Sequence, residues 1–193
     1  GKNGGALGKM LVPFKLGVGG PLGDGQQWVS WISQVDAVRA IEFARSMRHP
    51  DGAIPLFNDA AFGIAPTVVE LIEYANRLGI DTPHLSEPAV VWHRDSQFAR
   101  IKLGRQTLFA TLGGPSPVYQ PGHSHADTFS FELTLYNQRL FVDSGTDRYF
   151  NSVERDWQRS TAAHNCLSVN GSDISETWSC FRVGRRARIY DIK

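Results

Sequence analysis

The feature that most constrains the fold is a change in hydrophobic period near residue 88. Beyond that point, apolar residues recur at every second position in short segments separated by turn-forming residues. Such alternation is typical of β-strands that bury one face. The predicted strands are 89–93, 98–103, 106–112, 128–136, 139–143, 165–170 and 181–192. We therefore expect a mainly β chain whose strands form an antiparallel β-sandwich or barrel.

Turn signals between these segments support antiparallel pairing. Gly104-Arg105, Asn137-Gln138 and Asn170-Gly171 each separate two predicted strands. The Asn-Gly pair is the strongest of the three signals because both of its residues adopt positive φ at little cost. Neighbouring strands are therefore expected to be joined by tight hairpins.

A few α-helices are predicted before the strands. Residues 34–47 carry apolar side chains at helical spacing, and Ser33 is a plausible N-cap. Residues 67–78 repeat this spacing and end at Gly79, which suits a C-cap. A linker with two prolines at 81–88 follows, and the period then becomes two.

Charge and cysteine content exclude some classes of partner and leave others open. The 193 residues include 20 Lys or Arg and 19 Asp or Glu, a net charge of +1 that predicts no nucleic-acid partner. No apolar run approaches the ~20 residues of a membrane-spanning helix, so no membrane partner is predicted. The two cysteines, Cys166 and Cys180, form no CxxC motif and leave the redox compartment open. The oligomeric state is not predicted.

The hexapeptide GHSHAD at 122–127 is the main candidate for a functional site. Read as the start of a strand, it places His123, His125 and Asp127 on one side, together with Phe129 and Phe131 of the following run. Polar groups at the mouth of an apolar face need a partner, because an unpaired buried imidazole or carboxylate costs several kcal/mol. A metal ion or an anionic substrate would satisfy them.

Two further residues complete a possible metal site. Asp143 ends the strand that returns beside the hexapeptide, and His164 opens a later predicted strand. With His123 and His125 they form a constellation of four residues, in which two imidazoles and the carboxylate would suit a divalent ion such as zinc. Asp127 would orient an imidazole through its second ring nitrogen or serve as a simple turn or cap residue. The plain alternative is that these histidines are surface residues or hydrogen-bonded core residues.

Two other patterns are weaker. A cupin metal site would need a glutamate four or five residues after His125, but the nearest one, Glu132, falls on the opposite strand face. In the last predicted strand, Arg182, Arg186 and Arg188 share a face that could line a groove for an acidic polymer. A solvated strand edge protected by charge explains these arginines equally well.

Motifs in the second part of the chain resemble a known family. They lie at 119–133, 141–146, 159–165 and 181–187, in the order expected, and are preceded by a similar helical stretch at 48–66. Over about residues 45–193 the sequence resembles the C-terminal part of the heparinase II/III-like polysaccharide lyases. The resemblance implies a helical toroid followed by an antiparallel β-sandwich, and cleavage of uronic-acid-containing polysaccharides by β-elimination. A periplasmic or secreted location is suggested by this resemblance alone.

The resemblance also assigns roles to residues. It matches His125, Asp143 and His164 to the family's zinc ligands, and His123 to the histidine that faces the substrate cleft. Arg182 and Arg186, on the strand face described above, would contact the acidic polysaccharide, a role that rests on that face and not on the resemblance. The family's tyrosine base comes from helices of the toroid that have no counterpart here, so we expect at most weak lyase activity from this chain alone.

The first 44 residues resemble a different family. The run at 13–32, with Asp36 following, is similar to the late segment of NAD(P)-dependent epimerase-like proteins of the short-chain dehydrogenase type. The nucleotide-binding glycine loop and the Tyr-x-x-x-Lys pair of that family have no match, so no activity follows. The expected domains are an epimerase-like fragment (1–44), the end of a helical domain (45–87) and a β-sandwich truncated at its C-terminus (88–193).

The leading hypothesis is a lyase-type domain that binds uronic-acid polymers and carries one zinc ion. One alternative is a non-catalytic carbohydrate-binding or structural β-sandwich stabilised by zinc. Another is a metal-dependent hydrolase or isomerase.

Overall fold

The computed structural model describes residues 32–82 and 88–190, together with Val12, Lys15 and Leu16. The helices are α1 (Gln34–Ser46), α2 (Val68–Arg77) and α3 (Val153–Gln158), and short 3₁₀ turns occupy Pro121–His123 and Thr161–Ala163. The strands are β1 (Val90–His93), β2 (Phe98–Leu103), β3 (Gln106–Thr111), β4 (Phe131–Leu135), β5 (Gln138–Phe141), β6 (Thr177–Trp178) and β7 (Arg182–Val183). Strands β1 to β5 form one sheet in sequential order, and β6 pairs with β7. All pairings are antiparallel, as the sequence predicts.

Both predicted helices are present and begin at side-chain caps. The Ser33 hydroxyl accepts a hydrogen bond from the Asp36 amide at 3.0 Å at the start of α1. At the start of α2, Thr67 and Glu70 form a reciprocal capping box. Gly79 follows α2 with φ of +70°, the left-handed conformation expected of a residue that ends a helix.

The hairpin turns lie at or beside their predicted positions. Gly104, between β2 and β3, has φ of +57°. Between β4 and β5 the positive φ values fall on Tyr136 and Asn137, so this turn begins one residue earlier than predicted. Asn170 and Gly171 both have positive φ and join the isolated bridge between Val169 and Ser172, as expected of an Asn-Gly hairpin.

Three strand predictions need correction. Residues 165–170 form no strand beyond the isolated bridge, and the predicted strand at 181–192 is reduced to Arg182–Val183 within the described residues. Strand β4 begins at Phe131 rather than at 128, because Phe129 has φ of +65° and the Ser130 amide bonds to the Asp127 carbonyl oxygen in a turn. The hexapeptide therefore precedes the strand and is not part of it.

The buried face of β4 is also the opposite of the one predicted. Glu132 and Thr134 are almost completely buried, whereas Phe131, Leu133 and Leu135 are only partly buried. The face that carries Glu132 is covered by α1 and the loop that follows it, where polar partners are available. There Glu132 lies 3.0 Å from the His49 Nε2 atom and accepts a hydrogen bond from Arg139.

The apolar core lies between α1 and the sheet. Met47, Phe57 and Phe109 form its centre, and Phe43 and Phe98 pack against them. This contact fixes the loop after α1 against β3 and β4, and that loop carries the residues that reach the candidate site.

Among the described residues, no helix is long and apolar enough to cross a membrane. The glycine-rich start of the chain, most of the predicted linker and the final residues of the last predicted strand lie outside the described residues. The predicted domain boundaries at 44 and 87 stay predictions.

Candidate functional site

His123 is the exposed member of the site. It ends the 3₁₀ turn Pro121–His123, and 69% of its side chain is accessible to solvent. Its Nδ1 atom lies 2.9 Å from the Asp59 Oδ2 atom, within hydrogen-bond distance. The rings of Tyr149 and Phe181 lie edge-on to the imidazole, with centroids 6.0 and 5.9 Å away. One ring nitrogen is therefore held by protein while the other side of the ring faces solvent.

Asp59 is a buried carboxylate that joins the histidines to an arginine. Arg155, which has no exposed side-chain surface, donates from Nη2 to Asp59 Oδ2 at 3.0 Å and from Nη1 to Oδ1. Burial of Asp59 opposes its charged form, but hydrogen bonds from His125 and Arg155 outweigh burial and lower the pKa of Asp59 to about 2. Asp59 is therefore ionised at neutral pH.

His125 lies directly behind His123 and is completely buried. Its backbone amide donates to the Asn58 Oδ1 atom at 3.0 Å, and its Nε2 atom lies 2.7 Å from Asp59 Oδ1. Burial lowers the pKa of His125 to about 4 despite its contact with Asp59. The imidazole is therefore neutral near pH 7, as a metal ligand must be.

His164 and Asp143 lie on the other side of His125. The Nδ1–H group of His164 donates to both carboxylate oxygens of Asp143 at 2.9 Å, and Ser130 donates to Oδ2 at the same distance. Burial opposes the charged form of His164, but Asp143 outweighs it and raises the pKa of His164. The His164 Nε2 atom lies 3.3 Å from Nδ1 of His125.

The structure thus brings His125, His164 and Asp143 together, in the order His125–His164–Asp143. Asp143 contacts the His164 nitrogen that faces away from His125. Within residues 32–82 and 88–190, no group of three or more His, Cys, Asp or Glu side chains has the arrangement of a metal centre. Of these three residues, His125 and His164 have ring nitrogens that face each other, and Asp143 does not face that gap.

The Asp127 side chain bonds to the distant loop that carries Asn58, while its carbonyl oxygen accepts a hydrogen bond from the Ser130 amide in the turn before β4. Asp127 is buried beneath His164, and its Oδ2 atom accepts a hydrogen bond from the Asn58 amide at 3.2 Å. Burial raises the pKa of Asp127 to about 7. The carboxylates that orient the imidazoles are instead Asp59 and Asp143.

The two predicted substrate-binding arginines are separated in the structure. Arg182 is exposed on β7, directly after Phe181, whose ring contacts His123. Arg186 donates to the Val118 carbonyl oxygen at 2.7 Å and lines a cavity of about 830 Å³. The expected common strand face with Arg188 is wrong because β7 ends at Val183.

Sequence reasoning missed the two residues that hold the site together, Asp59 and Arg155. Arg155 lies on α3, whose start is signalled by the Ser152 cap and by Glu154 in the first turn. That signal could have predicted the helix. No local sequence pattern indicates that this charged side chain is completely buried beside an aspartate that is distant in the sequence.

The mainly antiparallel β fold carries an exposed histidine in front of a buried His–Asp cluster. Comparison with known families identifies the class of protein that has this fold. Residues 86–193 match the family model "Heparinase II/III-like, C-terminal". The chain belongs to this family.

Solved structures support the same fold. The crystal structure of heparinase III superposes with a TM-score of 0.58 and 18% identity, covering 75% of this chain and 29% of that one. A mutant of heparan sulfate lyase HepC from Pedobacter heparinus gives a TM-score of 0.53 and 15% identity, covering 76% of this chain and 31% of the other. The five-stranded antiparallel sheet with few helices is consistent with the heparinase C-terminal β-sandwich.

The resemblance to epimerase-like proteins is also found among curated proteins. Epimerase family protein SDR39U1 of Homo sapiens is 38% identical over 79 residues, which make up 41% of this chain and 25% of the human protein. Its Bos taurus counterpart is 38% identical over 119 residues, 61% of this chain and 37% of that protein. The chain spans only a minor part of the length of these relatives.

Proposed function

We propose that this chain supplies the β-sandwich side of a polysaccharide lyase site, binding a uronic-acid-containing polysaccharide at His123 and acting in its β-elimination. The observation that carries the proposal is the position of His123. Its imidazole is open to solvent on one side and held on the other by a buried, ionised aspartate. Membership of the heparinase II/III-like family points to an acidic polysaccharide as substrate.

The chemistry requires groups of the kind found here. β-Elimination removes the proton on the carbon beside the uronate carboxylate, and the electron pair of that C–H bond forms a double bond as the 4-linked oxygen departs. The reaction needs a proton acceptor, a proton donor for the leaving oxygen and positive charge near the carboxylate. An imidazole bonded to a carboxylate can exchange a proton through its free nitrogen.

Arginines of β7 and of the cavity at 184–190 would receive the anionic groups of the polymer. Arg186 lines the 830 Å³ cavity together with Arg185 and Arg188. The same cavity is lined by Ser116, whose backbone amide donates to Ser124 Oγ and whose carbonyl oxygen accepts from the Ser124 hydroxyl. Ser124 is the residue after His123. Arg182 lies exposed beside the aromatic ring that contacts His123. Guanidinium groups bind carboxylate and sulfate groups through paired hydrogen bonds.

We also propose that zinc binds between His125 and His164. Each ring has one N–H group held by a carboxylate, Asp59 or Asp143, and each presents its second nitrogen to the other ring. Their separation of 3.3 Å is close to the ~3.3 Å expected between two nitrogens bound tetrahedrally to one zinc ion at ~2.0–2.1 Å. Asp143 would have to turn from His164 to act as the third ligand. Bound zinc would supply a positive charge and a cross-link between loops.

The lyase proposal is tested by mixing the chain with a uronate polymer and following ultraviolet absorbance of the unsaturated product. We expect slow turnover at most, because Tyr149, the tyrosine whose ring contacts His123, already donates its hydroxyl group to the Asp59 carbonyl oxygen at 3.4 Å. Rapid turnover by this chain alone would contradict this expectation.

Elemental analysis tests zinc: we expect bound metal in the wild type and its loss in His125→Ala, and metal in neither would end the zinc proposal.

Carbohydrate binding without cleavage is the second candidate. The hydroxyl of Tyr149, the tyrosine whose ring contacts His123, donates to the Asp59 carbonyl oxygen at 3.4 Å, and a binding role needs no tyrosine base. In this case polymer binds and no unsaturated product forms, even after long incubation.

A further inference from the structure

We propose that Asp59 is a positioning residue that fixes the tautomers of His123 and His125 at once. Its carboxylate lies between the two imidazoles, so the substrate-side histidine and the buried histidine share one support. The statement that the free nitrogen of His123 faces substrate rests on the proposed function. The assignment of the tautomers does not depend on that function.

The four hydrogen-bond contacts of Asp59 fill its acceptor positions. The Oδ1 atom lies 2.7 Å from His125 Nε2 and accepts a hydrogen bond from Arg155 Nη1. The Oδ2 atom lies 2.9 Å from His123 Nδ1 and accepts a hydrogen bond from Arg155 Nη2 at 3.0 Å. An ionised carboxylate only accepts hydrogen bonds, so each histidine must place an N–H group on it. When neutral, His123 therefore carries its proton on Nδ1, and His125 carries its proton on Nε2.

Arg155 prevents the carboxylate from turning. Its Nη1 atom also donates to the Thr146 hydroxyl at 2.8 Å, and its Nη2 atom donates to the Cys180 carbonyl oxygen at 2.9 Å. The guanidinium group is a rigid fork fixed at both nitrogens. The two oxygens of Asp59 are thereby assigned to different histidines.

The consequence for His123 is directional. Its Nε2 lone pair lies on the ring edge away from Asp59, so the neutral ring offers its acceptor nitrogen to solvent. An aspartate that holds the distal nitrogen of a histidine fixes the tautomer in the same way in other acid–base sites. The consequence for His125 is that Nδ1 stays unprotonated and faces His164.

The substitution Asp59→Asn tests this assignment because it keeps the shape of the side chain. An amide offers one acceptor oxygen and one NH₂ donor, and Arg155 competes for the oxygen. One histidine must then face the NH₂ group and accept through its bare nitrogen, which reverses its tautomer. We expect His123 to reverse, because its exposed Nε2 can carry a proton in contact with water, whereas Nδ1 of His125 faces His164.

Histidine tautomers are measured by ¹⁵N–¹H correlation spectra of the ¹⁵N-labelled chain, at a pH where the rings are neutral. The wild type is expected to show Nδ1–H at His123 and Nε2–H at His125, and Asp59→Asn is expected to show Nε2–H at His123. The matched control is His93, whose Nε2 atom contacts Ser46 Oγ at 2.7 Å and whose tautomer is expected to be unchanged by Asp59→Asn.

Two results would overturn the proposal: Nε2–H at His123 in the wild type, or unchanged tautomers at both histidines in folded Asp59→Asn. If the variant does not fold, the wild-type spectrum decides the matter. The measurement needs no substrate, so failure to bind or cleave a polymer would count against the proposed function and not against the role of Asp59.

Discussion

Two histidines separated by a single serine share one carboxylate and differ completely in exposure. His123 is open to solvent, whereas His125 is buried with its neutral form favoured. The difference arises because the 3₁₀ turn ends at His123 and the chain then enters the interior. Alternation along a strand predicted both side chains on one side, although the structure places them at the end of a 3₁₀ turn and in the segment after it. The alternation could not identify Asp59, which comes from a loop 64 positions earlier in the sequence.

Cys166 gives a prediction at the scale of a single residue. Burial, followed by the charges of Asp127 and Asp143, raises the pKa of Cys166 to about 12. Because only the thiolate reacts, alkylation of Cys166 in the folded chain at pH 8 should be about 10³-fold slower than in the urea-unfolded chain. Peptide mass spectrometry after timed exposure to iodoacetamide measures both rates. Equal rates in the two states would show that the thiol is not shielded.

At the scale of elements, β4 places polar side chains where a sheet usually places its apolar core. Glu132 contacts His49 and Arg139 and accepts from the Leu56 backbone amide, so it ties the loop after α1 to the centre of the sheet. The same loop continues to Asn58 and Asp59. The polar layer therefore fixes the position of the loop that supports both histidines.

Replacing Glu132 with alanine tests this structural role. Removal of the carboxylate leaves the buried His49 and the Leu56 amide without their acceptor. Arg139 keeps its pair with Asp51. Since each unsatisfied buried group costs ~1–3 kcal/mol, we expect a loss of roughly 2–5 kcal/mol in the free energy of unfolding.

Glu154→Ala is the matched control, because solvent screens the exposed Glu154–Arg148 pair, which should contribute little to stability. Urea unfolding of the three proteins gives the values. Similar losses in both variants would contradict the assigned role of Glu132.

Local signals predicted elements well where the local backbone decides the outcome. The cap at Ser33, the left-handed Gly79 after α2 and the Asn170-Gly171 turn lie where the sequence indicated. The face of β4 could not be predicted, since burial of Glu132 depends on His49, which is 83 positions away. Period-two patterns also overstated the strands after residue 164, where side chains bond to backbone atoms and replace ladder pairing, as Asn165 does with the Phe131 and Val142 carbonyl oxygens.

At the scale of the whole molecule, the site is assembled from three parts of the chain. The loop after α1 supplies Asp59, the segment before β4 supplies the paired histidines, and the region from 143 to 164 supplies Asp143, Arg155 and His164. Sequence motifs indicated the second part and two residues of the third. The support from Asp59 and Arg155 was not predictable, because it depends on packing between distant segments.

The sheet has one covered face and one partly open face. α1 and its following loop cover the face of Phe109 and Glu132, whereas Val90, Ile101 and Leu103 on the other face are about half or more exposed. The candidate site lies at the end of the sheet where β4 begins. The turn before Gln138 lies at the opposite end, which makes Gln138 a suitable reference position for binding experiments.

The central claim is that His123 faces an acidic polysaccharide, and calorimetric titration with a heparan sulfate oligosaccharide tests it most directly. We predict measurable binding by the wild type and by Gln138→Ala, and at least about tenfold weaker binding by His123→Ala, equivalent to the ~1.4 kcal/mol of one charged hydrogen bond. Equal affinity of the wild type and His123→Ala, or no binding by the folded wild type, would contradict the account.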